Sequence, residues 1–491
     1  MTASNADGGF EISLASSRFD CEGLRVRALS GVSAISRLFA FDVDAVSVQK
    51  GGLDVARVLG EPVTIVFSPN GGGDVTRVHG IVAGVDDDLA EDDGVRAYRL
   101  RVMPRAERLA LGAAQEISMG LGVPDILAAK LAAVGLTPDA DVAMRLQGTY
   151  AAREFVVQYK ETDLAFLCRL AEHVGISFYF DHQGEADRMI FTDFAGGFSD
   201  GEAPREHRFR GRGEQRDVFQ LKAEHRLVPR SFTVHDYNYR LPQVAPLGAH
   251  ELADGVGYAG DVIEYGAHVK TPEEARALAK VRAEERQADQ LVYVGRSALP
   301  SLQAGVRCRV TGHPELDAVE LLIVEVRHEA TQGLGHAEVR SSYVNTFRAI
   351  PADRTYRPPR VTPRPRIHGL VTGIIADVGA AGATTGGSTV YAPIDEQGRY
   401  AVRFLFDTAG EPRRAPSHPV RMLQQHAGAH YGTHFPLRPG VEVLIAFIDG
   451  DPDRPLIVGA VPNPLTPSPV TNARSDVHTI KTATGTRIEC K

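Results

Sequence analysis

The sequence predicts a mainly β protein with a few inserted helices, ending in a small barrel. Three observations carry this expectation. The 49 glycines and 29 prolines among 491 residues supply many turns, which favours many short strands. Apolar and polar residues alternate over short runs in the first hundred positions. A proline-rich stretch near residue 360 precedes a compact all-β segment, Ile367 to about Val461.

The elements follow in chain order. Phe39, Phe41 and Val43 alternate with Ala40 and Asp42, the period of a half-buried strand. Similar runs occur at Pro62 to Ser68, Thr76 to Val85 and Val95 to Met103. A helix fits Pro124 to Leu136, with Ile126, Leu127, Leu131 and Val134 on one face and Gly135 near its end. Thr162 or Asp163 caps a second helix, in which Leu164, Leu167, Leu170 and Val174 recur at three- and four-residue steps. Gly175 suits the left-handed residue after it. Strands Ile176 to Phe180 and Arg188 to Asp193 come next. A third helix starts at Thr271, with Pro272 at its first position and Glu274 closing a capping box, and runs to about Ala288. Strands resume near Val306 to Gly312, Leu321 to Glu329 and His336 to Tyr343.

Residues Arg357 to Arg366, RPPRVTPRPR, read as an extended, semi-rigid, solvated linker, because prolines 358, 359, 363 and 365 cannot enter a sheet interior. Some five strand candidates follow, separated by Gly-Arg, Pro-Gly and Asp-Gly-Asp-Pro turns, a pattern that suits an OB-fold barrel. The last residues, SDVHTIKTATGTRIEC, look like the first strand pair of a further structure.

Bulk composition excludes several classes. Hydrophobic residues at 43% and charged residues at 24% are ordinary for a soluble globular chain. The net charge of -8 argues against a nucleic-acid protein, which needs clustered Lys and Arg. No run approaches the length of a membrane-spanning helix, and the N-terminus lacks the basic and apolar regions of a signal peptide. Cys21, Cys168, Cys308 and Cys490 are scattered, with no metal-ligand spacing, and are expected to be reduced.

Four stretches together resemble one family. They are QYKETDLAFLCRLAEHVGISFYF (Gln158 to Phe180), YRPPRVTPRPRIHGLVTGIIA (Tyr356 to Ala376), DEQGRYAVRFLFD (Asp395 to Asp407) and LRPGVEVLIAFIDGDPDRPLIVGAV (Leu437 to Val461). In this order they resemble the VgrG family of type VI secretion systems, related to contractile phage tail hubs and spikes. The motif positions are Gln158, Tyr159, Glu161, Asp163, Phe166, Arg169, Gly175, Gly398, Arg399, Gly440, Asp451, Pro452, Arg454 and Pro455. The resemblance implies tail-hub β-barrel subdomains with inserted helices over 1–355, a linker over 356–366, an OB-fold neck over 367–463 and the start of a trimeric β-helix needle over 464–491. The chain stops at Lys491, where the family's needle continues, so the needle is expected to be barely begun. The family's tryptophans have no counterpart in Pro419 to Tyr431, which is His-rich instead.

The implied role is mechanical. Three copies form a platform for a hexameric tube protein, with baseplate proteins around it and a PAAR-type tip protein and effectors at the needle. The resemblance implies no cofactor, no catalytic residue and no nucleic acid. It implies a cytoplasmic location before firing and contact with a target membrane only on firing. A spike from a phage tail or extracellular injection particle shares the same parts. An OB-fold module reading oligonucleotides or glycans is the rival class, but it predicts a basic, aromatic-rich groove that this acidic chain lacks.

Chemistry candidates are few. His426, His430 and His434 lie four apart, as zinc ligands on a helix would, but Gly428 and Gly432 interrupt any helix there. Asp449 to Asp453 lacks the spaced ligands and closing Glu of a calcium loop and reads as a tight turn between strands. The interval from Val461 to Ile480 is too short for an inserted wall hydrolase of the kind that phage hubs carry. The helix beginning at Asp163 is expected to be structural, so Leu170→Ala should cost about 2–5 kcal/mol. Urea unfolding of the full chain measures it, and a tolerated charge at position 170 would count against the assignment.

Overall fold

The computed structural model describes residues 10–47, 52–69, 74–92, 95–198, 204–211, 217–253, 255–313, 316, 319–333, 341–377, 391–409 and 416–490. Two compact units emerge. The larger holds residues 1–109, 128–149 and 167–362, and the smaller holds 110–127, 150–166 and 363–491. The grouping therefore differs from a contiguous N-terminal region followed by a C-terminal one.

Strands β1 (Phe10–Ala15), β2 (Leu24–Ala34), β3 (Ala40–Ser47), β4 (Pro62–Pro69), β5 (Thr76–Asp92) and β6 (Val95–Met103) open the chain, with a short helix α1 (Val55–Val58) before β4. After helix α2 (Arg108–Leu111) come β7 (Ala113–Ser118), α3 (Val123–Ala133), β8 (Val142–Arg145) and β9 (Val156–Thr162). Helix α4 (Asp163–Val174) leads to β10 (Ser177–Asp181), β11 (Arg188–Thr192), β12 (Arg205–Arg208) and β13 (Val218–His225). Next are β14 (Pro229–His235), β15 (Leu247–Glu251), β16 (Tyr258–Tyr265) and α5 (Pro272–Gln287). The larger unit closes with β17 (Leu291–Ser297), β18 (Arg307–Thr311), β19 (Glu320–Thr331) and β20 (Ser342–Pro351).

One twelve-stranded sheet dominates this unit, in the order β1-β4-β5-β6-β3-β2-β19-β20-β17-β13, with β18 joining β19 and β12 joining β18. Inward positions of β19 alternate as expected: Val326, His328 and Ala330 are buried, while Arg327, Glu329 and Thr331 are not. In β2 the buried residues change parity between Val26 and Leu29, because a bulge there shifts the register against β3. Strand β20 begins at Ser342, later than the expected His336 to Tyr343, and residues 334–340 lie outside the described set.

The helices follow their local signals closely. Thr162, not Asp163, caps α4: its Oγ1 accepts from the Ala165 N–H at 3.1 Å. The buried stripe of α4 centres on Phe166, Leu167, Leu170 and Ala171, whereas Leu164 and Val174 are only partly covered. Gly175 takes φ +75°, and a Cβ there would lie 2.5 Å from Val281 Cγ1, so backbone and space both demand glycine. Thr271 caps α5 by accepting from the Glu274 N–H at 3.2 Å. The reciprocal half of the expected capping box is displaced by one residue, since Glu274 Oε2 accepts from Lys270 N–H at 2.7 Å. Helix α3 starts at Val123 and ends at Ala133, short of Leu136, with Ile126, Leu127 and Leu131 buried. No helix among the described residues is long and apolar enough to cross a membrane.

In the smaller unit β7 and β9 pair antiparallel. Four strands, β21 (Val371–Ile375), β22 (Val402–Phe404), β25 (Glu442–Phe447) and β26 (Pro455–Ala460), form a sheet in the order β22-β21-β25-β26. A fifth segment closes it into a barrel. Val420 bridges Tyr400 ahead of β22, and Met422 bridges Ile457 on β26. Tyr400, Val402, Phe404, Val443, Ile445 and Ile457 fill the interior. The two-residue strands β23 (Ala427–Gly428) and β24 (Tyr431–Gly432) make a small hairpin, and β27 (His478–Lys481) pairs with β28 (Arg487–Cys490) at the end of the chain.

Two histidines of the larger unit give it an acid sensitivity. Burial, reinforced by the neighbouring His79, pushes His182 down to about 3, and burial alone does the same to His328. The unfolded chain protonates these groups near pH 6.5, while the folded chain does not until about 3, so the unfolded state binds more protons in between. The stabilising contribution is complete above about pH 6.5 and is lost as pH falls toward 3. Urea midpoints should therefore drop steadily between pH 7 and pH 4. A flat profile would refute the assignment.

Candidate functional site

Four of the motif residues, Asp451, Pro452, Arg454 and Pro455, lie at the turn between β25 and β26 in the smaller unit. Asp449 and Gly450 both take positive φ, +57° and +69°, so the chain reverses within a few residues. Ile448 N–H donates to Arg454 O at 3.0 Å and Arg454 N–H to Asp451 O at 2.9 Å, which closes the turn on itself. Asp451, only 3% exposed, is thereby aimed inward. Its carboxylate accepts from Asp453 N–H at 3.1 Å and from Arg364 Nη2 at 3.0 Å, and Arg454 Nε lies 3.7 Å away.

Asp453 extends the same junction. Its Oδ1 accepts from Val157 N–H on β9 at 2.7 Å, and its Oδ2 lies 3.5 Å from Arg364 Nη2. Next to Val157, the Gln158 side chain is fully buried. Its Nε2 donates to Glu161 O at 3.1 Å and to Asp163 Oδ1 at 2.9 Å, bridging the end of β9 to the start of α4. Tyr159 packs edge-on to Phe406, centroids 5.4 Å apart, and Phe155 meets Phe404 at 5.7 Å. Thr408 donates from N and Oγ1 to Gln115 O within β7, the partner strand of β9, at 2.8 and 3.0 Å. These contacts explain why 110–127 and 150–166 group with the barrel.

A second turn is built on Asp395. Its Oδ1 accepts from the Gln397 and Arg399 N–H groups, each at 3.0 Å, and Arg399 Nε donates to Oδ2 at 2.6 Å. Burial works to raise this carboxyl, but the hydrogen bonds and charge of Arg399 outweigh it and hold it below the usual carboxylate range. Gly398 takes φ +70° between them, and Gly440 takes φ +81° at the turn into β25. Pro452 and Pro455 flank Asp453 and Arg454 in the first turn, with Pro455 opening β26. Arg169 and Gly175 belong to the larger unit and take no part in these turns. Arg169 is buried there, and Gly175 O accepts from Arg357 Nη1 at 2.9 Å.

The solvated-linker expectation is corrected at each end of the proline-rich stretch. In the larger unit, Arg357 pairs with Glu284 at 2.7 Å, Arg360 with Glu264 at 2.9 Å and Glu285 at 3.4 Å, and Thr362 donates to Glu172 from N and Oγ1. In the smaller unit, Arg364 is held by Asp451 and Asp453, and Arg366 by Asp449. The stretch is extended, as its prolines dictate, but it is fastened along its length. Reading the sequence missed Arg364 and Asp453 as site residues. The signal was present in the charge alternation of RPPRVTPRPR and DGDPDR, but their pairing is not local.

The three histidines do not converge on a common point among the described residues. His426 packs at a 47° tilt against Tyr431 across the β23–β24 hairpin, centroids 5.1 Å apart, while His434 lies parallel to Tyr400 at 6.2 Å with Nε2 3.2 Å from the tyrosine oxygen. The four cysteines are free thiols, and burial pushes Cys168 and Cys308 up to about 12, so neither is a nucleophile near neutral pH.

Comparison with known proteins gives two family matches in order. The model of the phage tail baseplate hub (GPD) family matches residues 33–334, and that of the type VI secretion system/phage-baseplate injector OB domain matches 388–461. The chain is 30% identical over 456 residues to the type VI secretion system spike protein VgrG5 of Pseudomonas aeruginosa, covering 89% of this chain and 55% of the relative. It is 31% identical over 480 residues to VgrG4b of the same bacterium, covering 94% and 57%. The chain thus spans little more than half the length of these curated relatives. Among solved structures, the E. coli c3393 protein, a type VI secretion component with structural similarity to the T4 bacteriophage tail proteins gp27 and gp5, shares the fold. Its TM-score is 0.63 at 23% identity, covering 91% of this chain and 99% of that one.

The junction makes a quantitative prediction. Removing one partner of a buried ion pair costs about 3–5 kcal/mol. Arg364 keeps 30% of its side chain exposed, so Asp451→Ala should cost about 2–3 kcal/mol. Asp449→Asn, at a side chain 85% exposed, removes the charge while keeping a residue suited to the left-handed backbone there, and should stay within about 0.5 kcal/mol. Chemical unfolding of both variants decides it, and equal losses would show that the buried pair is not the cause.

Proposed function

The chain belongs to the phage tail baseplate hub family, and from that membership we propose that it is the hub and spike protein of a type VI secretion machine. The observation that carries the reading is the order of two matches on one chain, a hub followed by an injector OB domain. The relatives that align over most of this chain are type VI secretion spike proteins, which favours that system over a phage tail or extracellular particle. On this reading the role is mechanical and not catalytic: three copies form a platform that seats a hexameric tube protein, held among baseplate proteins. The barrel is the neck, and the terminal strands lead into a needle that takes a PAAR-type tip protein and effectors. The chain waits inside the cell and leaves it when the sheath contracts.

Physical features support partner chains at the terminal strands. The β27–β28 hairpin pairs Ile480 with Ile488, yet the two remain 49% and 61% exposed. A lone two-stranded hairpin is marginal in water, so this apolar pair gains from neighbours. A threefold ring can close through head-to-tail contacts.

Assembly is the test. Sedimentation of the full chain over a wide dilution range should show a species of three times the chain mass that dissociates on dilution, as mass action requires of a modest interface. A trimerising segment fused after the last residue should shift the population toward trimer. Monomer at every concentration, with and without the fusion, would overturn the spike reading.

A further inference from the structure

Five adjacent strands of the large sheet carry one inward row: Phe41 on β3, Gly31 on β2, His328 on β19, Asn345 on β20 and Ser297 on β17. The Phe41 ring lies over Gly31, where a Cβ would fall 2.1 Å from it, and reaches the His328 imidazole with centroids 5.2 Å apart. His328, Asn345 and Ser297 are all buried.

The hydrogen bonds fix where the protons are. Asn345 Nδ2 donates to Leu299 O at 2.8 Å and to the Tyr343 oxygen at 3.1 Å, while its Oδ1 accepts from Ser297 Oγ at 2.7 Å. The Tyr343 oxygen also lies 2.7 Å from His328 Nδ1. Tyrosine has one hydroxyl hydrogen. Having accepted from Asn345, Tyr343 donates that hydrogen to Nδ1, its other partner among the described residues. A neutral imidazole that accepts at Nδ1 carries its own proton on Nε2. Burial pushes His328 down to about 3, which keeps the ring neutral through mildly acid pH.

Nε2 of His328 is buried with no partner among the described residues, and so is Ser33 Oγ. Ser33 sits opposite Val326, one inward position along the seam from His328, on the same face. Both side chains line one cavity of about 20 Å³, whose wall also includes Phe41, His182 and Gln303.

We propose that this cavity binds a single internal water, which accepts the Nε2 hydrogen of His328 and bridges it to Ser33 Oγ across the β2–β19 seam. A water needs roughly 10–15 Å³ of such space and two to four polar partners. The cavity satisfies the first requirement. Ser33 and His328 satisfy the second, with His182 and Gln303 on the same wall.

The experiment is a crystal structure of the full chain at a resolution that shows ordered water, with histidine-selective ¹⁵N NMR on the same protein. The expected result is a density peak about 2.7–3.2 Å from both His328 Nε2 and Ser33 Oγ, with His328 neutral and protonated on Nε2. In Ser33→Ala the peak should be lost while the His328 tautomer is kept. An empty cavity, a direct Ser33–His328 contact, a proton on Nδ1, or a peak unchanged in Ser33→Ala would each overturn the proposal.

Discussion

Strand β2 precedes β19 by about three hundred residues, yet the two pair over seven positions, from Ala28 opposite Thr331 to Ala34 opposite Glu325. All the other strands of the large sheet depend on this seam. On one side stand β1, β4, β5, β6 and β3, and on the other stand β20, β17, β13, β18 and β12. Without it, one sheet becomes two smaller ones, each with an extra open edge. The separation along the chain is thermodynamically tolerable, since each doubling of a loop adds only about 0.6 kcal/mol to its closure. What the seam demands is register. A slip of one residue would turn Val326, His328 and Ala330 outward and Arg327 and Glu329 inward.

The smaller unit is organised by charge rather than by strand count. Its barrel needs only a three-residue segment, Val420 to Met422, to close the ring between Tyr400 and Ile457. Closure removes the edges that would otherwise template pairing with another chain. Outside the ring, Asp451 and Asp453 gather the proline-rich stretch and β9 onto one turn. The prolines keep that stretch extended and without competing backbone donors, so its arginines are presented to carboxylates at a small entropic cost.

The contrast between closed and open elements bears on the proposed role. The β27–β28 hairpin leaves Ile480 and Ile488 uncovered, an apolar pair that gains from further neighbours. The arginine-carboxylate contacts of residues 357–366 hold the proline-rich stretch to carboxylates of the larger unit before Thr362 and of the smaller unit after it.

Local chemistry was legible from the residues themselves. Thr162 and Thr271 cap helices because their hydroxyls reach the third N–H beyond them. Gly175, Gly398 and Gly440 take positive φ. Strand alternation named Phe39, Phe41 and Val43 as core. The ordered motifs pointed to the family. Only the tertiary structure decided that β7 and β9 pack with the barrel, that Arg364 belongs to Asp451 and Asp453, and that β2 finds β19. Caps, turns and alternation are set by neighbours within a few residues, which a sequence displays. Ion-pair partners and strand neighbours are chosen among many equivalent candidates hundreds of residues apart, and that choice is made by packing the whole chain.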